Sequence, residues 1–458
     1  MKRKILYINL DFPPMAGPAV WRALWFTKFL AASGYDVSVL CSDRSWWCER
    51  YDESILEHIP SSAKILRIKS LFPSDFLYKL IGILGRKAAG GGCPHSVLSR
   101  FNRLVDRFYP EQNFWWLLMA CIRGIHLGIF AKFDCVITSG PPHISHIVGM
   151  LISRLSHARW IMDYRDLWLD DPIQSPGFWY QKKLLEFFER KAVKSCDAVV
   201  TVSPSWRKHL ADKYEGVKHQ SKFHMIRNGH NLEDYAADPR NQVDGRLHIH
   251  FNGAPQGLSK TTHLLDALSK LNSDGSFVGR MPLVTFTGMI DHFRDQVREM
   301  GLEEIVKDVR SMTYQQSIEY SKNADALLII VNNEYPAMRG TIPAKTYEAM
   351  ALGRHIFAVI PPESDIRELL EEYGNATACN VDDIEEIARC LAALIESRTE
   401  LNRKVDVVRN KEFAGRFSRR RLTNQLIELI ESLVAQNEGA ERCQPDAENQ
   451  LMRSQCAR

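Results

Sequence analysis

Short apolar runs of strand length alternate with helix-length segments along this chain, and the alternation stops and restarts once. In the first half the runs are Ile5–Leu10, Val37–Cys41, Cys135–Ser139, Trp160–Asp163 and Ala198–Val202, with Val20–Ser33 and His143–Leu155 among the helical patterns between them. In the second half they are His248–Phe251, Leu283–Thr287, Ala326–Val331, His355–Val359 and Asn375–Ala378. The helical patterns there are Thr262–Leu271, His292–Met300, Tyr314–Lys322, Ala344–Leu352, Ser364–Glu372 and Asp383–Arg398. Parallel strands need a crossover between them, and a helix is the usual one. The expectation is an α/β chain of two Rossmann-like domains facing a central cleft, with ligands at the carboxyl ends of the strands. A length of 458 residues suits two or three domains.

The polar stretch Glu233–Gly245 is rich in turn formers and reads as the linker, which places the domains at 1–235 and 246–411. Ser42–Gln112, with its run Gly90-Gly91-Gly92, reads as an insertion of loops and short helices. Phe417–Val434 reads as an amphipathic helix, and the polar chain over 435–458 as a disordered tail.

Composition removes several classes. With 45% hydrophobic and 25% charged residues the chain is neither mainly disordered nor collagen-like. A net charge of +4 over this length is too mild to argue for nucleic acid. The ten cysteines are scattered without a CxxC pair or a zinc spacing. No secretory leader is apparent, so reduced thiols and a cytoplasmic location are expected. The stretch nearest to a membrane span, Phe114–Phe133, is interrupted by Arg123, His126 and Lys132. It reads as a largely buried helix. The aromatic patch Phe114-Trp115-Trp116 leaves monotopic contact with the inner membrane face as the alternative.

Six segments carry candidate chemistry, five of them just after a strand and the sixth leading into a helix. Asp11–Pro18 turns through Gly17 into a helix carrying Arg22, and a glycine turn at a helix N-terminus suits an anion. Ser139-Gly140-Pro141-Pro142-His143 offers His143 as an acid, base or donor. Asp163-Tyr164-Arg165-Asp166 sets carboxylates beside a guanidinium, which suits a polyol or a developing charge; the alternative is a salt-bridge cluster. Arg227-Asn228-Gly229-His230 reads as a structural turn. In Asn252–Lys260, Gly253 permits close backbone approach and Lys260 supplies a point charge for phosphate. Arg339–Gly353 runs from a glycine loop into a helix N-terminus and sets Lys345 and Glu348 on one helix face. Neither GxGxxG nor a Walker A loop is present.

Together these segments resemble glycosyltransferase family 4, the large retaining family of GT-B fold. The likeness runs from Lys4 to Leu433 and rests on FPP…G…R, RDLW, CDAVVTVSPSW, the RNG turn, NG…QGLSK and IPAKTYEAMALGRHI. The resemblance implies a nucleotide-diphosphate sugar held by the C-terminal domain. Glu348 would bind the ribose, Gly340 and Thr341 would approach the diphosphate with Lys345 near it, and Lys260 would match the phosphate-binding lysine. The N-terminal domain would bind a glycan or lipid-linked acceptor, with Gly17 near the donor phosphates, and the closing helix at Phe417-Ser418 would cross back onto it. Asp163, Arg165 and His143 are the candidate catalytic residues and would line the acceptor side. The chain departs from the family at three places. The first of two family glutamates falls on Gly340, Arg165 stands where many members carry a histidine, and Ala254 replaces an arginine. The expected activity is retaining hexosyl transfer in polysaccharide or glycolipid assembly, with no metal, no cofactor and no nucleic-acid partner. A nucleotide-sugar epimerase and a catalytically inactive GT-B binding subunit are the alternatives.

Overall fold

Strand β1 (Lys4–Ile8) is buried from its second residue onward, and a strand buried on both faces belongs in the middle of a sheet. Its partners lie in parallel on both sides, with Ile5 opposite Val37 of β2 (Asp36–Ser42) and opposite Cys135 of β4 (Cys135–Gly140). The computed structural model describes residues 2–43, 51–69, 114–170, 178–216, 220–231, 245–253, 255, 262–277, 279–288, 291–309, 314–398, 401 and 412–436. Among them the first sheet has seven parallel strands in the order β3-β2-β1-β4-β5-β6-β7. The others are β3 (Lys64–Ile68), β5 (Arg159–Tyr164), β6 (Ala198–Thr201) and β7 (Phe223–Met225). The second sheet has six, ordered β10-β9-β8-β11-β12-β13. These are β8 (His248–Phe251), β9 (Leu283–Thr287), β10 (Val306–Val309), β11 (Ala326–Ile330), β12 (His355–Ile360) and β13 (Ala376–Asn380). Both orders reverse once, at β1/β4 and at β8/β11, and these are the points where open α/β sheets bind ligands.

Chain contacts define two units. The first holds Met1–Thr201, His209–Ile226 and Thr423–Arg458, and the second holds Val202–Lys208 and Arg227–Leu422. Of the expected linker Glu233–Gly245, only Gly245 is described; the expected tail lies outside the described residues apart from its first two. The last helix spans residues 419–436, and within the first unit its Glu431 accepts from Arg3 and from the Tyr35 hydroxyl.

The second unit shows why its inner strands β11 and β12 are apolar on both faces. In β11, Ala326, Leu328 and Ile330 pack into one hydrophobic layer, and Leu327 and Ile329 into the other. β12 divides in the same way, with Phe357 and Val359 on one side and Ile356, Ala358 and Ile360 on the other. The helices that cover such a sheet need a single apolar stripe each. They are α6 (Thr262–Ser273), α7 (Asp291–Glu299), α8 (Tyr314–Asn323), α9 (Ala344–Leu352), α10 (Asp365–Tyr373) and α11 (Ile384–Glu396). In the first unit the helices are α1 (Pro18–Ala32), α2 (Phe114–Phe130), α3 (Ile144–Ser156) and α4 (Trp179–Ser195). α5 (Pro204–Lys213) contributes to both units.

The reading of Phe114–Phe133 as a largely buried helix needs correction. α2 turns Ala120, Gly124, Leu127 and Gly128 inward but leaves Leu118, Ile122, Ile125, Ile129 and Phe130 exposed. Trp116 and Leu117 are buried as well, and glycine marks the places where α2 comes nearest to α3: a Cβ placed on Gly124 would meet Ile152 of α3 at 2.9 Å, and one on Gly128 would meet Leu155 at 2.7 Å. Close helix approach therefore selects glycine at these two positions. Among the described residues no helix is long and apolar enough to cross a membrane.

Candidate functional site

In the first unit the loops after β1, β4 and β5 meet at the strand reversal. Gly17 caps α1 with φ of 138°, a backbone conformation that favours glycine, and a Cβ added there would meet nothing within 4 Å. Arg22, one turn into α1, faces Asp163 at the end of β5. Arg22 Nε donates to Asp163 Oδ2 at 2.9 Å and Nη2 to Oδ1 at 2.8 Å, while Ser139 Oγ donates to Oδ2 at 2.8 Å. Both partners are buried. Burial pushes the Asp163 carboxyl up, but Arg22 and Ser139 outweigh it and hold the carboxyl below its ordinary value. Arg22 also donates to the Ile226 carbonyl at 3.0 Å.

Arg165 is buried too, and its guanidinium serves backbone. It donates to the carbonyls of Ala19 at 2.6 Å, Gly140 at 3.3 Å and Pro141. His143 stacks on Trp168 with ring centroids 5.2 Å apart, and its Nδ1 lies 3.3 Å from His146 Nε2. Burial, with His146 and Arg165 adding to it, holds His143 well below its ordinary value, so its imidazole is neutral. The three acceptor-side candidates thus share one buried cluster with Arg22 and Ser139, and the sequence names all five residues without showing the Arg22–Asp163 pairing. Asp170 lies apart from them, paired with Lys213 at 2.8 Å and His209 at 2.9 Å.

In the second unit a pocket at the β8/β11 reversal is lined by His250, Asn252, Ser321, Lys345, Glu348 and Leu352, among others. Lys345 stands in the first turn of α9, whose cap residue Pro343 supplies no side-chain cap. Its Nζ lies 3.6 Å from the centroid of the Phe251 ring and would lie 3.4 Å from a Cβ at Gly253. Gly253 has φ of 140°, so the turn after β8 takes a conformation that favours glycine and brings its bare backbone to the ammonium. Burial lowers Lys345 to about 7, with Glu348 pulling it back up. A desolvated cation at the positive end of a helix is costly on its own and calls for an anion. His250, at the floor of the same pocket, bonds Thr285 Oγ1 through Nδ1 at 2.9 Å, and burial lowers it to about 3. Sequence reasoning missed His250, because a histidine inside a strand reads as core.

Gly340 and Thr341 precede α9 and are buried. Thr341 Oγ1 lies 3.9 Å from Met338 Sδ. A Cβ on Gly340 would lie 2.3 Å from Cδ1 of Trp206, whose Nε1 donates to the Ala337 carbonyl at 3.0 Å. The indole occupies the space that any side chain at position 340 would need. Gly340→Ala should therefore destabilise the second unit by ~1–3 kcal/mol. Unfolding of the single variant, and of Gly340→Ala with Trp206→Leu, checks this: the double variant should recover part of the loss. Lys260 and Ala254 lie outside the described residues.

The RNG turn is held by Phe417 and Arg419, at the entry to the last helix. Gly229 leaves room for the Phe417 carbonyl, which would lie 2.1 Å from a Cβ, and Arg419 Nε donates to the Gly229 carbonyl at 3.1 Å. Among the described residues no three His, Cys, Asp or Glu side chains gather as a metal site.

Residues 19–229 match the family described as glycosyl transferase 4-like domain. No curated protein sequence matches the chain. Solved structures do. Sucrose-phosphate synthase from Thermosynechococcus elongatus has a TM-score of 0.64 at 13% identity, covering 95% of this chain and 100% of that one. HepE of Anabaena, in complex with UDP and glucose, has a TM-score of 0.60 at 14% identity, covering 94% and 100%. WaaG, a glycosyltransferase involved in lipopolysaccharide biosynthesis, has a TM-score of 0.59 at 15% identity, covering 93% and 99%. With its two Rossmann-like sheets the chain has the GT-B fold, and its residues 19–229 match the glycosyl transferase 4-like domain.

Proposed function

We propose that this protein is a retaining glycosyltransferase. It takes a hexose from a nucleotide-diphosphate sugar and passes it to a glycan or lipid-linked acceptor in polysaccharide or glycolipid assembly, at the inner membrane face. The observation that carries the donor half is Lys345, a desolvated ammonium at the first turn of α9 beside the bare backbone of Gly253. Support comes from HepE, a GT-B neighbour solved with UDP and glucose.

On this reading the leaving diphosphate lies against α9. Lys345 and the amides of the first helical turn stabilise the charge that develops on it, which matters more than a strong base. Glu348, one turn on, accepts from the ribose hydroxyls. Gly253, Gly340 and Thr341 line the approach, and Lys260 adds a second cation. Asp163 and Arg165 act as positioning residues that fix the loops after β1 and β4, and His143 braces the same cluster on the acceptor side. Neither a metal nor a cofactor has a role in this scheme.

The Lys345 ammonium gives a pH signature. Its value is about 7 in the folded chain and 10.5 in the ordinary state, so the unfolded chain holds more protons between those limits. Stability without nucleotide should rise as pH goes from about 7 towards 10.5, and Lys345→Met should remove that rise. A diphosphate would restore the charge. Calorimetry of UDP, GDP or ADP binding in two buffers of different ionisation enthalpy should show proton uptake above pH 7, absent in Lys345→Met. Binding without proton uptake would remove Lys345 from the diphosphate site. The transfer itself is tested by incubating nucleotide sugars with and without acceptor. Interconversion of the sugar with no acceptor present would identify an epimerase, and binding without turnover a binding subunit.

A further inference from the structure

α3 packs against α2 on one side and α4 on the other, so the three helices share one face of the first sheet. The outer surface of this layer is unusual for a protein in water. α2 carries Leu118, Ile122, Ile125 and Ile129 on one exposed ridge, spaced at i, i+4, i+7 and i+11, with Ile122 62% and Ile129 56% exposed. Its glycines face inward against α3. Water disfavours a continuous exposed aliphatic ridge, whereas a helix resting in lipid packs small residues against protein where it meets another helix and carries such a ridge on its outer side. Across α3, α4 exposes Trp179 at 73% and Phe187 at 54%, together with Tyr180 and Leu184.

The charge on this layer decides between occupants. α2 contains Arg123 and His126 and no acidic residue. α4 exposes Lys182, Lys183, Arg190, Lys191 and Lys194 against one exposed carboxylate, Glu186; its other, Glu189, is buried and paired with Lys213 at 2.9 Å. Lys183 lies over the Trp179 ring at 5.3 Å and Lys191 over Phe187 at 4.9 Å. Aromatic rings interleaved with lysines beside an aliphatic ridge match the chemistry of a headgroup layer over acyl chains. Two copies docked through this surface would bring like charges together.

We infer that the α2–α4 surface docks the protein in-plane on an anionic lipid bilayer, with the α2 ridge in the acyl boundary and the α4 lysines at the phosphates. α2 is 17 residues long and lies on the membrane without spanning it. The inference starts from the peripheral membrane placement proposed above and gives it a surface. Donor binding is measured separately, so failure of one reading is distinguishable from failure of the other.

The test is co-sedimentation of the full chain with vesicles of phosphatidylethanolamine and phosphatidylglycerol, against vesicles of phosphatidylcholine alone. Binding is expected to the anionic vesicles and to weaken with salt. Ile122→Asn with Ile129→Asn should cut the partition coefficient by at least about tenfold. Lys183→Glu and Lys191→Glu should each cut it by roughly fivefold or more. All four positions are solvent-facing, so the unfolding transition and the nucleotide-induced thermal shift should stay as in the parent protein. Vesicle binding that these variants leave unchanged, equal binding to phosphatidylcholine, or no vesicle binding by the folded chain would each overturn the assignment. So would a lipid-free dimer that the isoleucine substitutions dissociate.

Discussion

Lys345→Ala and Glu348→Ala should each abolish measurable sugar transfer while leaving the fold intact. Losing one preorganised electrostatic stabiliser costs roughly 100- to 1,000-fold in kcat. Lys345 combines two such contributions, its own charge and its place at the first turn of α9. The stability effect should run the other way. The ammonium sits on the Phe251 ring at 3.6 Å in a desolvated setting, so without nucleotide Lys345→Met should leave stability unchanged or raise it at pH 7. Thermal unfolding with and without UDP, GDP or ADP separates the two effects. The parent chain should show a shift with one nucleotide, through mass action on the folded state. Both variants should lose it. Full transfer activity in either variant would sink the donor-site assignment.

The largest stability effect is expected at Arg22. Arg22→Met leaves the Asp163 carboxylate buried without its bidentate partner, and breaking a buried pair costs about 3–5 kcal/mol. For a unit of this size that is a fall in melting temperature on the order of 10 °C. Asp163→Asn should be milder, because the amide still accepts and Ser139 can adjust. Replacing both partners with apolar residues should recover much of the loss. The carboxyl of Asp163 is held below its ordinary value, so its contribution is complete above the usual carboxylate range and is lost as pH falls through that depressed value. Calorimetric scans of the first unit's transition at neutral and acid pH check both statements. A loss under about 1 kcal/mol in Arg22→Met would show that the pair is no more important than a surface contact.

Where turn formers flank an element, its ends could be read from the residues. α9 begins and ends at Ala344 and Leu352 as expected, and β8 and β9 match at both ends: Pro343 and Gly353 flank α9, Asn252-Gly253 follows β8, and Pro282 and Gly288 flank β9. β3 and β10 were missed. Both are edge strands of their sheets, half-covered, and their sequences KILRI and VKDV carry charge where an inner strand would not. α2 was misjudged because composition counts apolar residues without saying which way they face; the glycines that set its orientation do so through α3. The site shows the same division. The (i, i+3) spacing puts Lys345 and Glu348 on one face of α9, but the ring that desolvates Lys345 comes from β8. Gly340 stands out as a departure in the sequence, and its cause, the Trp206 indole, comes from α5. The Arg22–Asp163 pair joins residues 141 positions apart, a separation that no local pattern reports.

The last helix has a consequence for how the protein is made. Glu431 closes contacts with Arg3 and Tyr35, the first of them across 428 positions of chain. The second unit draws almost all of its residues from one continuous stretch, Arg227–Leu422. On a ribosome, where domains fold as their residues emerge, the unit encoded later is complete earlier. The N-terminal unit waits for residues 423–436 before its structure closes, and a nascent chain spends most of its synthesis with that half unfinished.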